Sequence, residues 1–464
     1  MDKKLPSLIS QISKKFESAG FEIYIVGGSV RDILMGKTPK DWDFTTNARP
    51  DDIQKIFPES FYDNRFGTVG IAGKKFGKSW EEQVFEITTF RKESGYSDRR
   101  HPDVVKFAKT LKEDLARRDF TINAMALPIN CRLQSTDYTK EIVDPFSGQE
   151  DLKNKVVRAV GDPYLRFSED ALRMIRAVRL ATQLKFQIAP NTHQAIKENA
   201  LLIKRVSGER IRDEIFKILS SQYPADGFWL LRNSGLLSLI LPEVEKGFEV
   251  EQKTIGRHHI YDVGTHSFKS LEACPSKDPL VRFAALLHDV GKPVSVGKDE
   301  KGTTTFYNHE VIGAHIIRAI AERLHLSKAD REKLVTLVRW HQFSVDEATT
   351  PAAVRRFIRR VGVKNIKDMV DVRVADRLGG GLTEATSWRL RRFMKMVEKE
   401  LHPPFSVTDL AIDGNDVMKI LDIPPGPEVG KILQELFDEI EEGKEKNDRK
   451  ILLARLEQIK KVSI

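Results

Sequence analysis

Residues 24–47 read YIVGGSVRDILMGKTPKDWDFTTN, and this stretch decides the fold. It opens as an apolar strand, Tyr24-Ile25-Val26. It turns at Gly27-Gly28-Ser29 and enters a short helical pattern with Val30, Ile33 and Leu34 on one face. It crosses Pro39 and returns to an extended segment holding Asp41-Trp42-Asp43. Alternate residues of a strand share a face, so Asp41 and Asp43 point the same way. Two carboxylates on one face repel, and a divalent cation between them relieves that repulsion. The Gly28-Ser29 turn can offer backbone N–H groups and a hydroxyl to an anion such as phosphate. An isolated D-x-D or Gly-Gly carries little weight, because exposed aspartates and glycine turns are common. Together at this spacing they point to metal-assisted phosphoryl or nucleotidyl transfer.

The surrounding sequence extends the site. Residues 5–19 have helical apolar spacing at Leu8, Ile9, Ile12 and Phe16, with Gly20 as a C-cap. Residues 66–72 and 83–90 are strand-like. Glu86 alternates within VFEITTF and can share the face of Asp41 and Asp43 as a third carboxylate. Residues 91–102, RKESGYSDRRHP, are polar, basic and poor in core residues, which predicts a loop. Residues 113–127, EDLARRDFTINAMAL, predict one amphipathic helix with Leu115, Phe120, Ile122, Ala124 and Met125 inward.

The GGSVRD…DWDF arrangement resembles the signature of the DNA polymerase β-like nucleotidyltransferases. More narrowly, it is similar to that of bacterial class II tRNA nucleotidyltransferases (CCA-adding enzymes) and poly(A) polymerases. The string RRDFTINAMA resembles that family's second signature. The resemblance implies two Mg²⁺ ions held by Asp41 and Asp43, and a nucleotide contacted by Gly28, Ser29, Arg31, Arg118 and Asp119. It also implies that residues 91–102 are a flexible loop whose Arg91, Arg99 and Arg100 contact phosphate.

Residues 166–180, RFSEDALRMIRAVRL, predict a helix with Ser168 as N-cap and Asp170 and Arg173 on one face. Cytosine and adenine each present an exocyclic amine beside a ring-nitrogen acceptor. A carboxylate accepts from the amine, and a guanidinium donates to the ring nitrogen or to O2 of cytosine. Uracil and guanine mismatch both contacts, and unpaired polar groups make rejection strong. The family's E-D-x-x-R motif implies this use of Asp170 and Arg173, with Glu169 orienting Arg173. Arg176 and Arg179 follow on the same helix and join the nucleotide-binding set. Residues 206–219 form a further helical pattern, whose Glu209-Arg210 resembles a motif bracing the pocket.

A second constellation lies downstream. It comprises His266, His288-Asp289 in LLHDVGKP, His309, His315, His341 and Asp376, and its His-Asp after an apolar helix, with a preceding His and a later Asp, resembles the pattern of HD phosphohydrolases. Imidazole and carboxylate ligands suit a transition metal or Mg²⁺. The candidate ligands are His266, His288, Asp289 and Asp376, with His309 and His341 as further candidates. Beyond them lie basic helical runs with Arg355, Arg356, Arg359 and Arg360, then Arg389, Arg391 and Arg392. They suit either solvent or an RNA backbone. Pro427 suits the first position of a helix.

The chain of 464 residues has length for several cores, and its formal charge is +9. The balance fits a polyanionic partner without requiring one. Cys131 and Cys274 show no paired spacing, which fits a reducing cytoplasm. No apolar run approaches a membrane span.

These readings lead to an α+β protein. A polymerase β-like head with a small mixed sheet and helices spans 1–152. All-helical regions follow: a neck at 153–222, an HD domain at 223–345, and a body and tail at 346–464. The expected partners are a tRNA 3′ end, CTP and ATP, with neither DNA nor membrane. Alternatives are an enzyme adding only CC or only A, a poly(A) polymerase, or an HD phosphohydrolase with an RNA-binding head.

Overall fold

The computed structural model describes residues 5–63, 67–94, 104–129, 140–252, 261–300, 302–343, 346, 348–401 and 406–462. The chain divides into two compact units, Met1–Pro242 and Glu243–Ile464. No helix among the described residues is long and apolar enough to cross a membrane.

The first unit is built around a mixed sheet. Its strands are β1 (Ile23–Val26), β2 (Asp43–Thr46), β3 (Phe61–Asp63), β4 (Thr68–Ala72), β5 (Val84–Thr89) and β8 (Ala126–Pro128), in the order β3-β4-β5-β2-β1-β8. Strands β6 (Arg91–Ser94) and β7 (Val104–Phe107) pair separately as an antiparallel ribbon. In the main sheet only β2 and β5 run parallel, with Asp43 opposite Glu86. One face packs on the helix Ser7–Ser18 through Leu8, Ile9, Ile12 and Phe16. Burial alternates at the head of β2: Asp41 is exposed, Trp42 buried, Asp43 half-buried and Phe44 buried. Trp42 and Phe44 therefore anchor the segment in the core and turn both aspartates the other way.

Two expected helices are broken. Residues 113–127 do not form one helix. A capping box, Thr110 with Glu113, starts a helix that covers only Leu111–Ala116. A short 3₁₀ turn, Thr121–Asn123, and strand β8 follow. Pairing with β1 claims Ala126 and Leu127, and this tertiary ladder overrides the helical period. Residues 166–180 split into Pro163–Glu169 and Leu172–Leu184. Asp170 between them is extended, at φ −141° and ψ 104°. Ser168 is not an N-cap. Asp162 caps the first helix by accepting from Tyr164 N–H, and the Ser168 hydroxyl donates to the Leu165 carbonyl.

Among the described residues after the head, strand pairing is limited to the minimal ladders Val156–Val157 with Gln187–Ile188 and Gly297–Lys298 with Thr304–Thr305, and to isolated bridges such as Glu251 with Asp262; helices dominate the rest. In the second unit the helix Val263–Ala273 crosses Ile366–Gly379 closely. A Cβ on Gly379 would stand 2.6 Å from the Ser270 backbone nitrogen. Only glycine permits that approach, which brings His266 to Asp376. Arg355 is not part of a free basic face. It donates to the Glu441 carbonyl and pairs with Glu400 at 2.7 Å, tying together three C-terminal helices.

Candidate functional site

Gly27 ends β1 at φ 69° and ψ −139°, a region closed to other residues. A Cβ there would meet Arg118 Nη1 at 3.2 Å and Asp43 Oδ2 at 3.3 Å. The missing side chain thus makes room for a cation and a carboxylate against the same backbone. Ser29 is buried and locks the aspartates. Its hydroxyl donates to the Asp41 carbonyl at 2.9 Å and accepts from Asp43 N–H at 3.3 Å. The hydroxyl expected to face an anion is thus committed to shaping the Asp41–Asp43 turn.

Burial raises the Asp43 carboxyl, Arg118 lowers it, and Asp41 raises it, with a net upward shift. A carboxyl raised by burial and by a second carboxyl is relieved by a bound cation. Glu86, in register with Asp43 on the adjacent strand, lies on the same face. This donor set suits Mg²⁺, which favours carboxylate oxygens.

Arginines surround this face. Arg31 donates to Asn123 Oδ1 at 2.9 Å and pairs with Asp32. Arg118 holds Asp114 at 3.4 Å, while its buried Nε has no hydrogen-bond partner among the described residues. Asp119 accepts from Arg176 Nε at 2.8 Å, from Asn123 and from its own neighbour Phe120 N–H. Burial raises Asp119, but Arg176 outweighs it and pulls the carboxyl down to about 2. Arg176 is raised by the same pairing. Arg179 pairs with the buried Glu214 at 2.8 Å.

Asp170 and Arg173 do not pair with each other. Asp170 is gripped by Arg210 at 2.7 Å, with a second contact at 3.3 Å. Arg173 is buried and donates to Glu169 at 2.5 Å, to the Arg166 carbonyl at 3.2 Å and to the Arg117 carbonyl at 3.3 Å. Each is therefore fixed by its own partner. The break at Asp170, absent from the helical expectation, sets that carboxylate off the helix axis. Arg91 opens β6, whereas Arg99 and Arg100 lie outside the described residues, as does Cys131.

Asp114, Asn123 and Glu214 were not among the expected site residues. Asp114 stands three and four before Arg117 and Arg118, a spacing that could have flagged it. Asn123 and Glu214 gain their partners through tertiary contacts that sequence spacing does not encode.

The second unit holds the other cluster. Two groups of metal-capable side chains converge within 4.8 Å: His266, His288 and Asp289, and Asp289, His309 and His341. Asp289 faces both. Its Oδ2 lies 3.4 Å from His266 and 3.2 Å from His288, and its Oδ1 lies 3.4 Å from His309 and 3.6 Å from His341. Asp376 closes the first group at 3.2 Å from His266. His315 is exposed and stands apart. His288, His309 and His341 each turn Nδ1 to a backbone carbonyl, at 2.7–2.8 Å, which leaves Nε2 facing inward. Burial lowers His288, but Asp289 and Asp376 outweigh it and raise it to about 10. Carboxylates that draw a proton onto an imidazole draw a metal ion by the same field. Lys292 joins Asp289 at 2.6 Å and Gln252 at 2.7 Å. Beside it opens a cavity of about 310 Å³ lined in part by Lys292, Thr305, Tyr307, His309 and Gln342.

Comparison with known proteins agrees with this arrangement. Family models match in chain order. "Poly A polymerase head domain" covers 23–158, and "Probable RNA and SrmB- binding site of polymerase A" covers 185–248. "HD domain" covers 257–380, and "tRNA nucleotidyltransferase domain 2 putative" covers 323–456. The CCA-adding enzyme of Lactobacillus helveticus is 46% identical over 237 residues, 50% of this chain and 55% of that protein. The aligned part thus spans about half the length of that relative. The A-adding tRNA nucleotidyltransferase of Deinococcus radiodurans is 34% identical, over 89% of this chain and 90% of its own. The crystal structure of the Bacillus stearothermophilus CCA-adding enzyme in complex with CTP superposes with a TM-score of 0.71, at 26% identity and 99% coverage of both chains.

Proposed function

The chain belongs to the bacterial tRNA nucleotidyltransferase family that holds the CCA-adding and A-adding enzymes, and on that premise we propose that it extends the tRNA 3′ end with C, C and A from CTP and ATP. The observation that carries this reading is the juxtaposition of Asp43 and Arg118 against Gly27, with Glu86 in register with Asp43 on the adjacent strand. In this reading Asp41 and Asp43, with Glu86 beside them, hold two Mg²⁺ ions. When bound, the ions supply charge for the α-phosphate, a more acidic primer 3′-OH and stabilisation of leaving pyrophosphate.

The remaining work falls to side chains. Arg31, Arg118, Arg176 and Arg179 neutralise the triphosphate and orient it. Gly28 offers its backbone N–H, and Asp119 fixes Arg176. Asp170 accepts from the exocyclic amine of C or A, and Arg173 donates to the neighbouring acceptor. Arg210 and Glu169 hold these two in place, so no nucleic-acid template is needed. Arg91, at the start of β6, together with Arg99 and Arg100, contacts phosphate. The division into head 1–152, neck 153–222, HD domain 223–345 and body and tail 346–464 belongs to the same reading. So do the cytoplasm as its compartment and a tRNA held along the basic helices.

The HD cluster adds a metal-dependent phosphohydrolase activity in this reading. His266, His288, Asp289 and Asp376, with His309 and His341, hold a transition metal or Mg²⁺. A second reading, addition of the terminal A alone, is favoured by the long match to an A-adding enzyme. The test is nucleotide incorporation on tRNA transcripts lacking CCA. The wild-type chain incorporates, Asp43→Ala does not, and incorporation by both would overturn the reading.

A further inference from the structure

Asp114 has no exposed surface, and a carboxylate buried so completely requires partners. Its two oxygens join four groups. Oδ1 accepts from Arg117 Nε at 2.9 Å and from Arg91 N–H at 3.3 Å. Oδ2 accepts from Arg118 Nη2 at 3.4 Å and lies 3.3 Å from Thr45 Oγ1, whose single proton is shared with the Thr88 carbonyl at 3.1 Å. Thr45 is two residues beyond Asp43 on β2, on the same face. Arg91 is the first residue of β6. The preceding Glu113 pairs with Lys92, so consecutive acids anchor the first two residues of that ribbon.

The geometry at Arg118 gives the hub a purpose. One terminal nitrogen is held by Asp114, and the other lies with Asp43 Oδ2 against Gly27. Its Nε is buried without a partner among the described residues. A buried N–H left unpaired is costly, and an oxyanion entering beside Asp43 would satisfy it. A planar guanidinium pinned at one end presents its remaining donors in one direction. Burial raises the Asp114 carboxyl, but Arg117 and Arg118 outweigh it, so Asp114 stays ionised at working pH. Its charge also separates Arg117 from Arg118, which would otherwise repel.

We propose that Asp114 is the positioning residue that aims Arg118 at the nucleotide triphosphate and ties the start of the β6–β7 ribbon to that aim. This rests on the assignment of Asp43 and Arg118 to nucleotide transfer. Asp114 touches no substrate; it acts through Arg118.

The test is calorimetric titration of CTP with Mg²⁺ into the full chain, without tRNA. It compares wild type, Asp114→Asn, Arg118→Ala and the double variant, with thermal melts alongside. Loss of a hydrogen-bonded charge is expected to weaken CTP binding on the order of 10-fold in Asp114→Asn. The double variant is expected to bind no more weakly than Arg118→Ala, since both changes remove one effect. A merely structural role would instead lower affinity by the product of the two factors. That result, or wild-type affinity in Asp114→Asn, overturns the proposal. If Asp114→Asn does not fold, Thr45→Val removes one donor to Oδ2 with little change in volume. It is expected to weaken binding by about 3-fold, an effect that vanishes in the Arg118→Ala background; unchanged binding overturns the proposal. A wild-type chain that binds neither CTP nor ATP removes the nucleotide-transfer reading itself, and this one with it.

Discussion

Arg210 grips Asp170 from a separate helix, with one nitrogen at 2.7 Å and another at 3.3 Å from its two carboxylate oxygens. Asp170 sits in the break between two helices, where its own segment supplies one hydrogen bond to the carboxylate, from Leu172 N–H to Oδ1 at 3.1 Å, and Arg210 supplies the charged partner. Arg210→Ala should therefore remove the charged grip on the carboxylate proposed to read the base, without unfolding the helices around it. Discrimination of CTP against UTP is expected to fall on the order of 10-fold, the worth of a charged hydrogen bond. Competition kinetics on a tRNA primer measures it. Undiminished discrimination would remove Asp170 from base selection.

Gly27→Ala meets two obstacles. The backbone at φ 69° is strained for any L side chain, and the new Cβ presses on Arg118 and Asp43. The strain should cost about 1–2 kcal/mol of stability. Activity should fall by far more than the melt suggests, on the order of 100-fold, because the reacting geometry shifts. Urea unfolding and single-turnover incorporation, measured together, separate the two effects.

The Asp119–Arg176 pair gives a pH dependence with a definite sign. The folded carboxyl lies at about 2, below its unfolded value of 3.8. Its stabilisation is thus fully present above the unfolded value and is lost as pH falls through the folded one. The contribution is roughly 2 kcal/mol. The stability difference between wild type and Asp119→Asn should shrink between about pH 5 and about pH 2. A difference that stays constant across that range would remove the depressed pKa from the account.

The fold was legible where burial alternates strictly. Asp41 and Asp43 read directly as two acids on one face, and the structure turns both away from the buried Trp42 between them. The pattern misled where tertiary partners outweigh local period. Ala126 and Leu127 look helical but complete a ladder with β1. Asp170 looks like a helix residue but lies in a break, where Arg210 holds it. Glu214 resembles an ordinary surface acid until folding brings Arg179 to it, whereas Asp114 has its arginines three and four residues further along the chain. His309 and His341 stand at the ends of two helices that follow Asp289 in the chain, and they meet it only when those helices pack.

The two clusters lie in different units of the chain, so they should be separable. His288→Ala removes an imidazole from the first of the two groups that share Asp289. Bound divalent metal in the second unit should fall, as read by elemental analysis after dialysis, and nucleotide addition should stay within about 2-fold of wild type. Loss of nucleotide addition at an unchanged melting temperature would contradict independent sites.

The most direct measurement uses a tRNA transcript ending at the discriminator base, with Mg²⁺ and CTP, ATP or both, and products resolved at single-nucleotide length. Two additions are expected with CTP alone and three with both nucleotides. Growth only on a primer already ending in CC would replace CCA addition by A addition. No extension on any primer, with a control enzyme active in parallel, would contradict the account.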